Sequence, residues 1–209
     1  MLDQANINVD GFVKIWEPDT GVVHLEKHNA VNQEVISYVI AEMLQASVGK
    51  YIAEMHFGNG GVIIDTTGNI TYKDVELNLQ SGFSASLFSP TYFKVVDTSD
   101  TVNNDDITKN KVEISHVSGL TYTDLIITCT LDPDQPNADD VGNLVRETQA
   151  NIDTGNLTGN FLFNELGLKC KGEDGLNTGH LLSHIVFHPV QKSANRTIQV
   201  VYTLRIRIA

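Results

Sequence analysis

Three histidines, His180, His184 and His188, recur at four-residue intervals in "HLLSHIVFH". Three imidazoles can hold zinc. Even spacing keeps them on one stripe of a helix and on one face of a strand. A strand, however, sets positions four residues apart about 13 Å from each other, too far for neighbours to share an ion. Pro189 and the β-branched neighbours favour the strand. The three are therefore the sequence's metal candidates, but exposed or hydrogen-bonded histidines are the expectation, with no bound metal.

The acidic stretches "LDPDQPNADD" and "NNDD" offer oxygen atoms of the kind calcium takes. Counting an EF-hand register from Asp132 puts Ala138 at the seventh place and Asn143 at the twelfth, where a bidentate Glu belongs. Glycine is also missing from the sixth. These loops read first as solvated and acidic, with an irregular calcium loop as the alternative.

A third candidate is the carboxylate beside a carboxamide in "FLFNELGLKC". On a strand, Phe161, Phe163, Glu165 and Gly167 share one face, while Leu162, Asn164, Leu166 and Leu168 share the other. Glu165 and Asn164 then diverge, which argues for structure over catalysis. "FGNGG" lacks the lysine and hydroxyl of a phosphate loop. There is no Gly-x-Ser-x-Gly elbow, and the serines of "SGFSASLFSP" have no base nearby. No enzyme activity and no cofactor are expected.

These residues must be positioned by strands. "GFVKIWEPDTGVVHLEKHNAVN" reads as two short strands around a Pro-Asp-Thr-Gly turn, with Pro18 and Gly21 in suitable places. The period then changes. Val31, Val35, Ile36, Val39, Ile40, Met43 and Leu44 follow three- and four-residue steps, which predicts one amphipathic helix over about 30–46, capped by Asn29. "YIAEMHF" returns to strand, and the glycines of "GNGG" (Gly58, Gly60 and Gly61) end it or turn it sharply. "ITYKDVELNL" is a weaker strand candidate. "KVEISHV", "DLIITCTL", "FLFNELGLKC", "HLLSHIVFHPV" and "RTIQVVYTLRIRI" are stronger. In the last, Ile198, Val200, Tyr202, Leu204, Ile206 and Ile208 alternate with polar residues, the mark of a strand with one face on a core. The fold class expected is mainly β, an antiparallel β-sandwich with one packed helix.

The 209 residues suit a single β-rich domain spanning 1–209. Two polar stretches, about 96–110 and 132–160, read as long loops or arms, and long loops are functional or disordered. The formal net charge of −12 disfavours nucleic acid and anionic lipid as partners. No run approaches a membrane span, and the first residues lack signal-peptide character, so a reducing cytoplasm is expected. Cys129 and Cys170, in apolar runs, read as buried thiols. Lys192, Arg196, Arg205 and Arg207 cluster near the end. They form either a patch for an acidic neighbour or the solvated face of the last strands.

Two segments taken together carry a resemblance. One is "EKHNAVN", the helix and "IAEMHFGNGG"; the other is "FNELGL", "LLSHIVFHPVQKS" and "IQVVYTLRI". In this order they resemble small virion structural proteins of tailed bacteriophages, of the neck, tail, fibre-base or head-decoration type. The resemblance covers roughly the first 60 and last 50 residues. It implies fold-determining roles for Gly58, Gly60, Glu165 and Gly167, and a homo-oligomer that docks other virion proteins. It also implies a virion location after synthesis in the host cytoplasm. The interface candidates are the two arms, with Asp105, Asp106, Asp134 and Asp139, together with Arg205 and Arg207 and a "GNGG" turn set close to a partner. Neck or tail is the expected place. A capsid decoration protein, or a carbohydrate- or receptor-binding fibre domain presenting Trp16 and Tyr122, is the alternative.

Overall fold

The computed structural model describes residues 6–44, 51–75, 77, 82–97, 107–136 and 161–208. The most regular alternation in the sequence becomes strand β11 (Ile198–Ile208). It runs antiparallel to β1 (Ile7–Trp16) on one side and β8 (Tyr122–Leu131) on the other, so that Tyr202 faces Val13 and Ile127. Val13, Ile15, Ile127, Cys129, Leu131, Val200 and Tyr202 are buried, whereas the alternate residues Lys14, Trp16, Thr128, Val201 and Thr203 are only half-buried. This is the expected sheet with one wet face.

β1 turns into β2 (Val23–Val31) through the predicted Pro-Asp-Thr-Gly corner. The Gly21 N–H donates to the Glu17 carbonyl at 2.8 Å, and its φ of 73° is one that a side chain would strain. β7 (Lys111–Ser115) pairs with β8 and ends the sheet.

β3 (Ile52–Gly58), β6 (Pro90–Val95), β9 (Phe161–Cys170) and β10 (Leu181–Lys192) complete a nine-stranded antiparallel sheet of order β6-β3-β9-β10-β2-β1-β11-β8-β7. The fold is mainly β. The sheet curls in a sandwich-like way, so that Met55, Phe57, Leu166, Leu168 and Ile185 share one core with Val13, Ile127 and Tyr202. Where edge strand β6 comes round to β8, the buried Lys94 ammonium donates to the Thr130 carbonyl at 3.0 Å and to Gln135 Oε1 at 2.9 Å. Cys129 and Cys170 are buried free thiols.

Helix α1 (Gln33–Leu44) lies within the expected span, but β2 extends further and the cap differs. Asn32, not Asn29, accepts the Val35 N–H through its Oδ1 at 3.3 Å. Asn32 is also tied by its own N–H to the Leu182 carbonyl at 2.8 Å, so the sheet fixes where the helix starts. A helix of 12 residues is marginal alone. Burial of Val35 and Val39 against the sheet, each worth roughly 1.5–3 kcal/mol, holds it.

Of "ITYKDVELNL", only β5 (Ile70–Tyr72) is strand, and it pairs with β4 (Val62–Ile64) in a separate hairpin. A short 3-10 turn, Gly82–Ser84, packs near the helix. The polar stretch 96–110 is not simply an exposed arm. Val96, Asp97 and Asn110 at its ends are buried, and Asn110 Oδ1 accepts the Thr130 N–H at 3.0 Å. Of the stretch 132–160, only 132–136 is described. Asp105, Asp106 and Asp139 lie outside the described residues.

Candidate functional site

All seven residues of β3 are buried, which a sheet with one wet face does not explain. Met55 and Phe57 enter the core; Glu54, His56 and Gly58 take the opposite face. On that face His56 is in register with Gly167 of β9, which is in register with His184 of β10. Loops cover this second face, and it carries the ionisable groups.

At its centre Glu165 closes on the glycine turn. Its Oε1 accepts the N–H groups of Gly60 at 3.0 Å and Ser89 at 2.8 Å; its Oε2 accepts the Phe88 N–H at 2.9 Å and His184 Nε2 at 2.9 Å. Four donors fill the lone-pair sites of a carboxylate. Burial on its own would raise this carboxyl, but His184 and the three backbone donors hold it below the ordinary glutamate value. Glu165 is ionised and fully occupied, so it has no free lone pair with which to take a proton from a substrate.

Asn164 serves the same turn. Its Oδ1 accepts the Gly61 N–H at 2.7 Å, and its Nδ2 donates to the Asn59 carbonyl at 2.9 Å. The strict alternation expected along β9 is therefore wrong at this point. Phe163 joins Leu166 and Leu168 in the core, while both Asn164 and Glu165 reach the glycine turn. A register break lies at the same place. Between Glu165 and Phe163 on β9, β10 runs from Val186 to Val190, so it spends four steps against two.

The glycine turn makes a close approach within its own chain. A Cβ on Gly58 would stand 2.5 Å from both Glu165 Oε1 and the Ser89 carbonyl oxygen. One on Gly60 would stand 2.6 Å from Ser89 Cβ, and one on Gly61 3.0 Å from the Asn164 carbonyl oxygen. Gly167 is crowded by Leu181 and Ser183 in the same way. These glycines are places where backbone and carboxylate fill the space of a side chain.

A second pair was not anticipated. Glu54 Oε2 meets His56 Nε2 at 2.6 Å, and Glu54 Oε1 accepts the Asn177 N–H at 2.7 Å. Burial pulls the His56 pKa down despite Glu54, which places the proton of a neutral ring on Nε2. Its Nδ1 has no hydrogen-bond partner, and the ring stacks on Phe93 at 4.9 Å. The signal was present in "YIAEMHF", where two ionisable residues at alternate positions interrupt an apolar strand.

The three histidines separate, as strand spacing requires. His180 precedes β10 and touches Phe83, His184 is buried on Glu165, and His188 is exposed beside Tyr72. Among the described residues no three His, Cys, Asp or Glu side chains gather as a metal would need. Asp132 is engaged by Lys109 Nζ at 2.9 Å, and Asp134 is exposed with a φ of 64°.

The terminal basic residues do not form one patch. Lys192 is buried, and burial pulls it down to about 8 against the opposing pull of Asp134 and Asp132. Arg196 meets Glu17 at 3.1 Å. Arg205 lies about 30 Å further along the strand. There it forms a two-pronged bond to Asp124, 2.8 Å on each prong, and stacks over Tyr122 at 4.0 Å. Arg207 is exposed. Trp16, bonded to Gln199 at 3.1 Å, and Tyr122 stand at opposite ends of β11 and form no common platform.

One surface left open to another molecule, among the described residues, is the β7 edge of the sheet. On β7 the core-facing row continues from Ile127 to Val112 and from Leu125 to Ile114, yet Ile114 is 75% exposed. Val117 at 60% and Ile107 at 55% lie close by in sequence. The core's apolar row runs out into solvent there. Among the described residues no helix is long and apolar enough to cross a membrane. No family model matches the chain, and neither curated proteins nor solved structures give a match.

Proposed function

We propose that this chain is a structural component of a tailed-phage particle, at the neck or tail, acting as a homo-oligomer that docks other virion proteins. The observation that carries this reading is the outer edge of β7, which among the described residues has no strand partner and carries Ile114 out into solvent. Such an edge is a template for strand pairing, and a monomer ordinarily blunts or covers it. Pairing it with a different surface of the next copy gives a heterologous contact, which closes into a ring when the rotation permits. The resemblance noted above, across "IAEMHFGNGG" and "FNELGL", supplies the phage context. The saturated state of Glu165 supports docking over turnover.

Light scattering on the purified protein tests it. A trimer, hexamer or dodecamer is expected, and Ile114→Lys should shift it to monomer with its fold intact. A wild-type chain that stays monomeric at high concentration overturns self-assembly and moves the reading towards head decoration on a pre-formed shell.

A further inference from the structure

The nine-stranded sheet has one weak joint. β2 and β10 pair only at Val31 with Ser183 and at Ala30 with His184, and then diverge. Among the described residues, β2 from Val23 to Asn29 is paired with β1 alone, and β10 beyond His184 with β9 alone. Two open strand edges therefore face each other across a cleft of about 490 Å³, flanked by Tyr72 and Lys73 from the β4–β5 hairpin.

The inner face of β2 changes character at this joint. Leu25, Lys27, Asn29 and Val31 alternate onto the core side, with Lys27 opposite the buried Val13 and Asn29 opposite Gly11. Lys27 is nevertheless exposed, because the sheet is open beside it. Its ammonium crosses the gap to the Val186 carbonyl and so satisfies a strand oxygen that no neighbouring strand reaches. Both amide atoms of Asn29 are buried without a hydrogen-bond partner. A buried carboxamide left bare costs free energy that an incoming peptide group would recover.

The charge of the cleft runs against that of the chain. Lys27 and Lys73 line it with Asp74 as the one carboxylate among its lining residues, on a protein whose formal net charge is −12. Complementary charge selects an acidic occupant.

We infer that the cleft between β2 and β10 receives an extended, acidic segment of a partner protein. The segment adds to the open strand edges by main-chain pairing and sets its carboxylates against Lys27 and Lys73. This is strand addition inside a sheet at its joint, not at its rim, and it does not depend on the virion reading.

The test is fluorescence anisotropy of the full chain with labelled octapeptides of alternating Thr-Glu, Thr-Gln or Thr-Lys. The Thr-Glu peptide should bind about tenfold tighter than Thr-Gln and lose affinity as salt rises, and Thr-Lys should not bind. Methylating alternate peptide nitrogens should abolish binding. Lys27→Gln should weaken Thr-Glu binding about tenfold. Lys73→Gln, on the flanking segment, tests the same charge preference if the first variant folds poorly. Equal binding of the Glu and Gln peptides, or no effect of either lysine variant, overturns the inference. So does failure of all three peptides to bind at millimolar concentration. If the peptides fail while Lys27→Gln dissociates a wild-type oligomer, the cleft holds a second copy and the acidic-partner assignment is wrong.

Discussion

In β1, β11 and β8 nearly every second residue reaches water, whereas in β3, in residues 163–168 of β9 and in residues 181–187 of β10 none does. The first group solves burial in the simplest way, with apolar residues inward and Lys14, Thr128 and Thr203 outward. The second group is covered on both faces. One is filled by Met55, Phe57 and Leu168, and the other by Glu54, His56, Glu165 and His184. A buried charge persists only when its partners are complete. The comparison predicts that the two groups of strands tolerate change differently. On the wet face water can replace a lost partner, whereas on the covered face nothing can.

The sharpest way to break the contrast is Glu165→Gln. It leaves three backbone N–H groups and His184 around a neutral amide, and the loss expected is about 3–5 kcal/mol in urea unfolding at pH 7. Its pH dependence is a second readout. Because the folded Glu165 pKa lies below its unfolded value, its stabilisation is present above the ordinary glutamate range and is lost as pH falls through the folded value. The difference between wild type and Glu165→Gln should therefore narrow in acid. A constant difference would show that the charge is irrelevant.

Next in size is Gly58→Ala, whose methyl would stand 2.5 Å from Glu165 Oε1 and from the Ser89 carbonyl oxygen. A loss of about 1–3 kcal/mol is expected from overpacking. Double-mutant analysis with Glu165→Gln should show strong non-additivity, since both changes act on one contact. Simple addition would separate the turn from the clamp.

The smallest effect is expected on the wet side. Arg205→Ala removes the two-pronged bond to Asp124, which is partly exposed, and should cost no more than about 1 kcal/mol. That cost should shrink further at high salt. A loss matching that of Glu165→Gln would erase the distinction between the halves.

The same contrast decided what could be read in advance. Alternation in "TIQVVYTLRIRI" and "DLIITCTL" gave face, core residues and strand type, because one face is wet. "FLFNELGLKC" has no wet face to set its phase, so alternation assigned Asn164 and Glu165 to opposite sides. The register break on β10 cannot be seen in β9 itself. The helix was legible from its stripe, but its start was set by Leu182, a residue 150 positions away from Asn32. Lys192, Arg196, Arg205 and Arg207 looked like one cluster because they are near in sequence. An extended strand instead carries the last two about 30 Å from Arg196.

The pairing of Val13 with Tyr202 and of Gly58 with Glu165 also has a meaning on the ribosome. At 5–20 residues per second, roughly 190 residues of further synthesis keep β1 without its β11 partner for about 10–40 s. Through that interval, among the described strands, β1 can pair only with β2, and β3 still lacks its β9 neighbour. The β1–β2, β3–β6 and β7–β8 pairs can form early, but they join into one sheet only once β9, β10 and β11 have been made.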